Sequence, residues 1–246
     1  MIISDRTVLI VGGTSGIGLG LARRFVDAGS TVIVGGRSAR TVDDLETVEM
    51  DVTVPGSVLR ARDEVLANHP ELDVVVTMSG VMLMEDLRDP AHFADAEKTV
   101  QVNLLGTIRV IDAFTPHLIG VGHADVITVS SGIAFLPFPL MPTYGASKAG
   151  VHAYTEALRA QLASADVHVT ELVPPAVATA GQEKVNPAAL PLDGYLDEAM
   201  ALLTGEPAPQ EIVVDAAQRL RWAERDGTYA GLLAQRSQAL SSLPGR

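Results

Sequence analysis

The sequence predicts an α/β fold: a doubly wound parallel sheet with helices on both faces, folded as one domain. Three observations predict it. Short apolar runs alternate with longer stretches of helical periodicity along most of the chain. The first of those runs opens directly into a glycine-rich turn and then a helix, the local order that suits a phosphate site. No linker or internal repeat divides the 246 residues, a length that one core can serve.

Taken in order, Thr7–Val11 is continuous and short enough for a strand buried on both faces. Gly12-Gly-Thr-Ser-Gly-Ile-Gly18 follows, then a helix with Ile17, Leu21, Phe25 and Val26 opposite Arg23, Arg24 and Asp27. Gly29 is a natural stop for it. Residues 31–34 form the second strand, with Gly35-Gly36-Arg37-Ser38 as the turn after it. Residues 47–50 make a short third strand closed by Asp51, and 57–68 a helix with Ser57 as its cap. Strands at 73–78 and 125–130 flank a long helical region at 93–117. A helix over 144–164 leads into the strand Val167–Leu172. This alternation implies right-handed crossovers and a parallel sheet. Residues 176–210 are rich in Pro and Ala with weak periodicity, and both a flap over a site and an irregular connection remain open. A last short strand is predicted at 211–214, then helix over 216–241 with a break near Asp226-Gly227.

Composition narrows the class of function. Hydrophobic residues at 47% and charged residues at 20% are ordinary for a globular protein, and aromatics at 4% leave the core to aliphatic side chains. A formal charge of −12 argues against nucleic acid and anionic membranes as partners. The short apolar N-terminus has no basic leader, and the apolar runs are too short to cross a bilayer, so a cytoplasmic protein is expected. Cysteine is absent, which removes disulfides and thiolate metal sites.

The chemistry centres on Thr143-Tyr-Gly-Ala-Ser-Lys-Ala-Gly150. Tyr144 and Lys148 stand four apart at the start of a helix, so their side chains share one face. A phenol titrates near pH 10, and a nearby cation or a helix N-terminus favours its phenolate. The pair can therefore exchange a proton, although Tyr-x-x-x-Lys alone is common in helices that do no chemistry. The second signal is Gly12-x-x-x-Gly16-x-Gly18 with Thr14 and Ser15 as hydroxyl donors. As a bare pattern it is weak; directly after the first strand it reads as a pyrophosphate cradle. At the end of the second strand an acidic residue would select a ribose 2′-hydroxyl, whereas an arginine accepts a 2′-phosphate. This chain has Gly36, then Arg37 and Ser38, which predicts NADP(H).

With these pieces in order, the chain resembles the short-chain dehydrogenase/reductase family, a compact single-domain branch of the Rossmann fold. Within it, the nearest look is to the oxidoreductases of lipoteichoic acid D-alanylation operons. That likeness rests on Ser130-Ser-Gly-Ile-Ala-Phe135, on Pro174-Pro-Ala-Val177 and on Pro191-Leu-Asp193. The resemblance implies that Tyr144 is the general acid/base and that Lys148 lowers its pKa and bonds the nicotinamide ribose. It also implies that Ser131, with Ser130 adjoining, holds the substrate oxygen, and that Asn103 kinks a helix and holds a water linked to the lysine. Ile17 joins the glycine loop, Asp51 and Val52 match adenine contacts, and Ser79 and Gly80 follow the fourth strand. Pro174, Val177 and Thr179 match the nicotinamide side. Two departures stand out: Thr77-Met-Ser-Gly80 replaces the usual Asn-Asn-Ala-Gly, and Val11 replaces a threonine. These two segments are expected side by side, so that one change accommodates the other.

The expected substrate is a small carbonyl compound or secondary alcohol, and an apolar one. Phe135, Leu136, Phe138, Leu140 and Met141, with 81–84 (Val-Met-Leu-Met), are apolar runs in loops; a substrate pocket and a subunit interface both explain them. No basic cluster marks an anionic substrate. His69, His117, His123, His152 and His168 show no metal-ligand spacing, and no metal is expected. Asp43-Asp44 and Glu85-Asp86 read as solvated acidic faces, and the Gly-x-Ser-x-Gly elbow of esterases is absent. The family further implies a homodimer or homotetramer built on the two long helices. The competing reading is a catalytically silent protein that senses NADP(H) on the same fold.

Overall fold

The computed structural model describes residues 1–37, 42, 44–179 and 188–245. Among them nine strands form: β1 (Thr7–Val11), β2 (Thr31–Gly36), β3 (Glu46–Glu49), β4 (Val74–Thr77), β5 (Ala124–Val129), β6 (Val167–Leu172), β7 (Val177–Ala178), β8 (Leu190–Pro191) and β9 (Glu211–Ile212). Seven make one parallel sheet in the order β3-β2-β1-β4-β5-β6-β9, and β7 pairs with β8 apart from it. The helices are α1 (Gly16–Asp27), α2 (Pro55–Asn68), α3 (His92–Val100), α4 (Gly106–Val121), α5 (Pro142–Leu162), α6 (Leu192–Leu203), α7 (Asp215–Arg221) and α8 (Tyr229–Ser237).

Strand alternation builds a core on each face of the sheet. Val8 and Ile10 of β1 join Phe25 of α1 and Leu196 of α6, while Leu9 and Val11 join Val58 of α2, Phe114 of α4 and Leu158 of α5. Each such side chain, fully buried, contributes about 1.5–3 kcal/mol. That two-sided burial is why the strands read as unbroken apolar runs. Strand order reverses between β1 and β4, and the carboxyl ends of the strands leave a cleft there.

The expected α/β alternation is present, with several corrections. The helical region read as 93–117 is α3 and α4 joined by a π-helical turn, Gln101–Leu105. The whole stretch is apolar and long enough to span a bilayer, but Val110, Ile111, Phe114 and Leu118 are packed in the core. Ser57 does not cap α2: Val54 precedes the helix, Pro55 opens it, and the Ser57 hydroxyl accepts from the Asp51 amide at 3.0 Å. Val26 is 42% exposed, and Ala22 takes its place on the buried face of α1. Residues 176–210 are not irregular throughout. α6 buries Tyr195, Leu196, Ala199, Met200 and Leu203 at helical spacing, a periodicity hidden by the Pro and Ala around it; residues 180–187 lie outside the described ones. The break at Asp226-Gly227 separates α7 from α8, where Gly227 has φ +67°.

Candidate active site

The first wall of the cleft is the turn between β1 and α1. Gly12 has φ +95°, and a Cβ there would stand 2.5 Å from the Ser79 amide nitrogen. Only glycine permits both the turn and the approach of the segment after β4. That segment is held by register, Val11 beside Thr77, and by the Met78 amide donating to the Val11 carbonyl at 2.7 Å. The two departures from the family pattern therefore do lie side by side. Gly12, Thr14, Ser15, Gly16, Ile17 and Gly18 all line the cleft, beneath the N-terminus of α1. Glycines that let a phosphate approach the backbone, the Thr14 and Ser15 hydroxyls and the helix dipole fit a dinucleotide pyrophosphate.

At the end of β2, a Cβ on Gly36 would stand 3.0 Å from Thr14 Cγ2, so a side chain there, acidic or not, would have to push Thr14 aside. Arg37 is exposed and lines the cleft beside Asp51 and Val52. The Asp51 carboxylate accepts from the Thr53 amide and hydroxyl at 2.9 and 2.7 Å. The Thr53 hydrogen bond, with help from the charge on Arg37, holds its carboxyl below the usual range. Ser38 lies outside the described residues.

The second wall is built by β5, β6 and α5. Ser130, Ser131, Tyr144, Lys148, Pro174, Val177 and Thr179 line it, with Ser79 and Gly80 opposite. The Lys148 Nζ is buried, donates to the Val129 carbonyl at 2.8 Å and lies 5.9 Å from the Tyr144 ring centre. Burial pushes its pKa down to about 8, opposed by the charge of Glu171. Burial likewise pushes the Tyr144 phenol up, and the opposing interaction is a hydrogen bond with Ser131. Ser131 thus favours the phenolate from one side, and the Lys148 ammonium stands on the same face of α5. Ser131 also caps the short turn Gly132–Ala134, accepting from the Ile133 amide at 3.4 Å.

Asn103 sits behind the wall, fully buried in the π-helical turn. Its Oδ1 accepts from the Val81 amide at 2.8 Å, and its Nδ2 donates to the Val81 carbonyl at 2.9 Å and Ser147 Oγ at 3.1 Å. It thereby ties the segment after β4 to α5. A Cβ on Gly80 would lie 3.5 Å from Asn103 Oδ1 and 3.9 Å from Lys148 Nζ, so the three residues meet.

The structure revises several other expectations. Glu85 is not solvated: its side chain is 1% exposed, accepts from the Thr143 amide and hydroxyl at 3.0 and 2.9 Å, and pairs with His92 at 3.0 Å. Asp86 and Asp44 pair with Arg88 and Arg23, and Asp43 lies outside the described residues. His152, with Glu156 one turn on along α5, also meets Glu171 and Glu211 in space. Two guanidinium groups already answer that cluster, Arg159 at Glu156 and Arg221 bidentate on Glu211 at 2.8 Å. Of the apolar loop residues, only Val81 and Met82 line the cleft; Leu136, Leu140 and Met141 are buried, Leu136 beneath α8 against Ala223 and Leu232. Glu171 left a trace in the sequence, a lone acid inside an apolar strand. Glu85 left none.

A parallel sheet with a phosphate cradle and a Tyr–Lys pair across the same cleft of about 500 Å³ defines a nucleotide-dependent oxidoreductase. The family model for short chain dehydrogenase matches residues 6–189, and the chain belongs to that family. It is 34% identical over 193 residues to the uncharacterized oxidoreductase DltE of Bacillus subtilis, covering 75% of this chain and 76% of that one. To sulfoacetaldehyde reductase 2 of Chromohalobacter salexigens it is 35% identical over 178 residues, 68% of this chain and 71% of the relative. A crystal structure of a short chain dehydrogenase from Burkholderia cenocepacia in complex with NADP superposes with a TM-score of 0.83 at 26% identity, covering 95% of this chain and 99% of that one. The likeness to the DltE type expected from the sequence is thus present.

Proposed function

We propose that this dehydrogenase/reductase is an NADP(H)-dependent carbonyl reductase, with Tyr144 as the proton donor and a small, largely apolar carbonyl compound or secondary alcohol as substrate. The observation that carries it is Tyr144, Ser131 and Lys148 in one cleft with the glycine cradle. A bound nicotinamide would supply the hydride to the carbonyl carbon. As the carbonyl oxygen gains negative charge, the Tyr144 hydroxyl gives it a proton and the Ser131 hydroxyl donates a hydrogen bond. Lys148 supplies the positive charge that steadies the phenolate left behind. Thr14 against Gly36 and the free approach to Arg37 favour a 2′-phosphate over a bare ribose, and the relative solved with NADP supports that choice. Val81, Met82, Ile133 and Leu220 give the cleft apolar walls for a carbon skeleton. The Chromohalobacter salexigens relative is named for reducing an aldehyde. We assign the protein to the cytosol as a homodimer or homotetramer on its long helices, to be checked by light scattering.

The test is NADPH oxidation over a panel of aldehydes and ketones, with dissociation constants for NADPH and NADH measured alongside. Tyr144→Phe is expected to bind NADPH as the parent does while turnover falls about 10²–10⁴-fold. Substantial residual activity would reject the tyrosine as proton donor, and equal or tighter NADH binding would reject NADP(H). Tight NADPH binding with no turnover of any carbonyl would favour a sensor.

A further inference from the structure

Arg236, on α8, opens into the same cleft as Ser131 and Tyr144. Its guanidinium stands 5.1 Å over the ring of Phe138, in the loop that joins Ser131 to Tyr144. α7 closes the same side: Leu220 Cδ1 is 2.7 Å from where a Cβ on Gly132 would stand. The two C-terminal helices therefore bring an apolar wall and a cation to the β5 end of the cleft. Arg37 is at the β2 end. β2 and β5 are three strand spacings apart in the sheet order, about 14 Å, so one anionic group cannot satisfy both arginines.

The neighbouring arginines of this region have polar partners. Arg221 holds Glu211, Arg225 holds Asp226 at 2.8 Å, and Arg219 reaches Gln235 at 3.4 Å. Among the described residues no carboxylate and no hydrogen-bond acceptor meets Arg236, although the chain has 30 acidic residues against 18 basic ones. Burial alone accounts for the depressed pKa of its guanidinium. A partly buried cation without a counter-charge is costly to a fold, and an anionic ligand removes that cost. A guanidinium fork matches the oxygens of a carboxylate or sulfonate, and low-polarity walls strengthen the attraction.

We propose that Arg236 is the specificity-determining residue at the substrate end of the cleft, and that the substrate is a carbonyl compound bearing an anionic group, a carboxylate or sulfonate. The apolar walls take its carbon skeleton and Arg236 takes its charge. This rests on the reductase reading above and revises its largely apolar substrate to one with a charged end.

Two measurements test it on the full-length protein. Turnover with NADPH is compared for sulfoacetaldehyde against its uncharged tert-butyl isostere, and for succinic semialdehyde against its isopropyl isostere. Binding of isethionate and of its tert-butyl isostere to the NADP⁺-loaded protein is measured by calorimetry, which needs no turnover. At least one anionic aldehyde should be preferred over its isostere by about tenfold or more in kcat/KM, and isethionate over its isostere in affinity. Arg236→Met should collapse both ratios toward one, and Arg236→Lys should restore part of them. The two aldehyde pairs distinguish sulfonate from carboxylate. Isostere preferences unchanged by Arg236→Met, or a variant that weakens NADPH instead of the anions, would overturn the proposal. Arg236-dependent binding of isethionate without turnover of any carbonyl would keep the anion site and reject the reductase.

Discussion

Lys148 is a buried cation with its pKa pushed down to about 8, and Glu171 is the charge that keeps it from falling further. Below that pH the amine is an ammonium; above it the charge is lost. The Tyr144 phenol, raised by burial, stays protonated through the same range. On the proposed mechanism, carbonyl reduction should therefore fall as pH rises through about 8, with the lysine as the group that loses its proton. Glu171 is fully buried, accepts from His152 Nδ1 at 2.8 Å, and has its Oε1 without a partner among the described residues. Removing its charge takes away the opposition to desolvation at Lys148. Glu171→Gln should thus move the alkaline limb of the rate profile to lower pH, by about one pH unit. A profile measured between about pH 6 and 10, on either side of the lysine, checks this, and an unmoved limb would mean that Glu171 is not felt at Lys148.

At the scale of elements, α5 is the helix that has to be placed well, and it lacks a cap of its own. Met141 precedes it without a side-chain bond, and Pro142 stands at its start. Glu85 supplies the cap from the loop after β4, bonding the amide and hydroxyl of Thr143, one residue before Tyr144. Its own amide donates to the Leu140 carbonyl at 2.9 Å, so loop and helix are clamped from both sides. A carboxylate at this end also opposes the helix dipole favourably. Glu85→Ala should cost about 2 kcal/mol in urea unfolding. On the proposed mechanism it should lower kcat more than it raises KM, because the phenol loses its fixed position. Glu85→Gln keeps an acceptor and should recover part of both; equal kcat in all three proteins would show that the clamp does not position Tyr144.

For the whole molecule, the end of the sheet opposite the cleft is closed by one charged clip. Arg6, just before β1, bonds Asp73 at 2.5 Å and Asp125 at 2.7 Å, spanning the three central strands β1, β4 and β5. Burial pushes the Asp125 carboxyl up, with Arg6 opposing. Arg6→Met would leave two largely buried acids facing each other, and should lower global stability by about 3 kcal/mol. The lesion lies at the far end of the strands from the site, so the variant should keep its NADPH affinity below its melting temperature. Thermal unfolding with and without NADPH measures both quantities. A loss confined to NADPH binding would contradict this division of labour.

The sequence by itself determined the sheet and the cradle, because both depend on local chemistry. Unbroken apolar runs have to be buried on two faces, and Gly12 through Gly18 permit a turn and an approach that side chains would block. Tyr144 and Lys148 were legible for the same reason, since four residues along a helix is a fixed distance in space. What the tertiary structure alone decided lies between residues far apart in the chain. Glu85 reads as a solvated acid until α5 is laid against it, His152 has only Glu156 beside it until β6 and β9 bring Glu171 and Glu211, and Arg236 is one of several arginines near the C-terminus until α8 turns it into the cleft. Burial and charge pairing set what such groups do, and both depend on which surfaces meet when the chain folds.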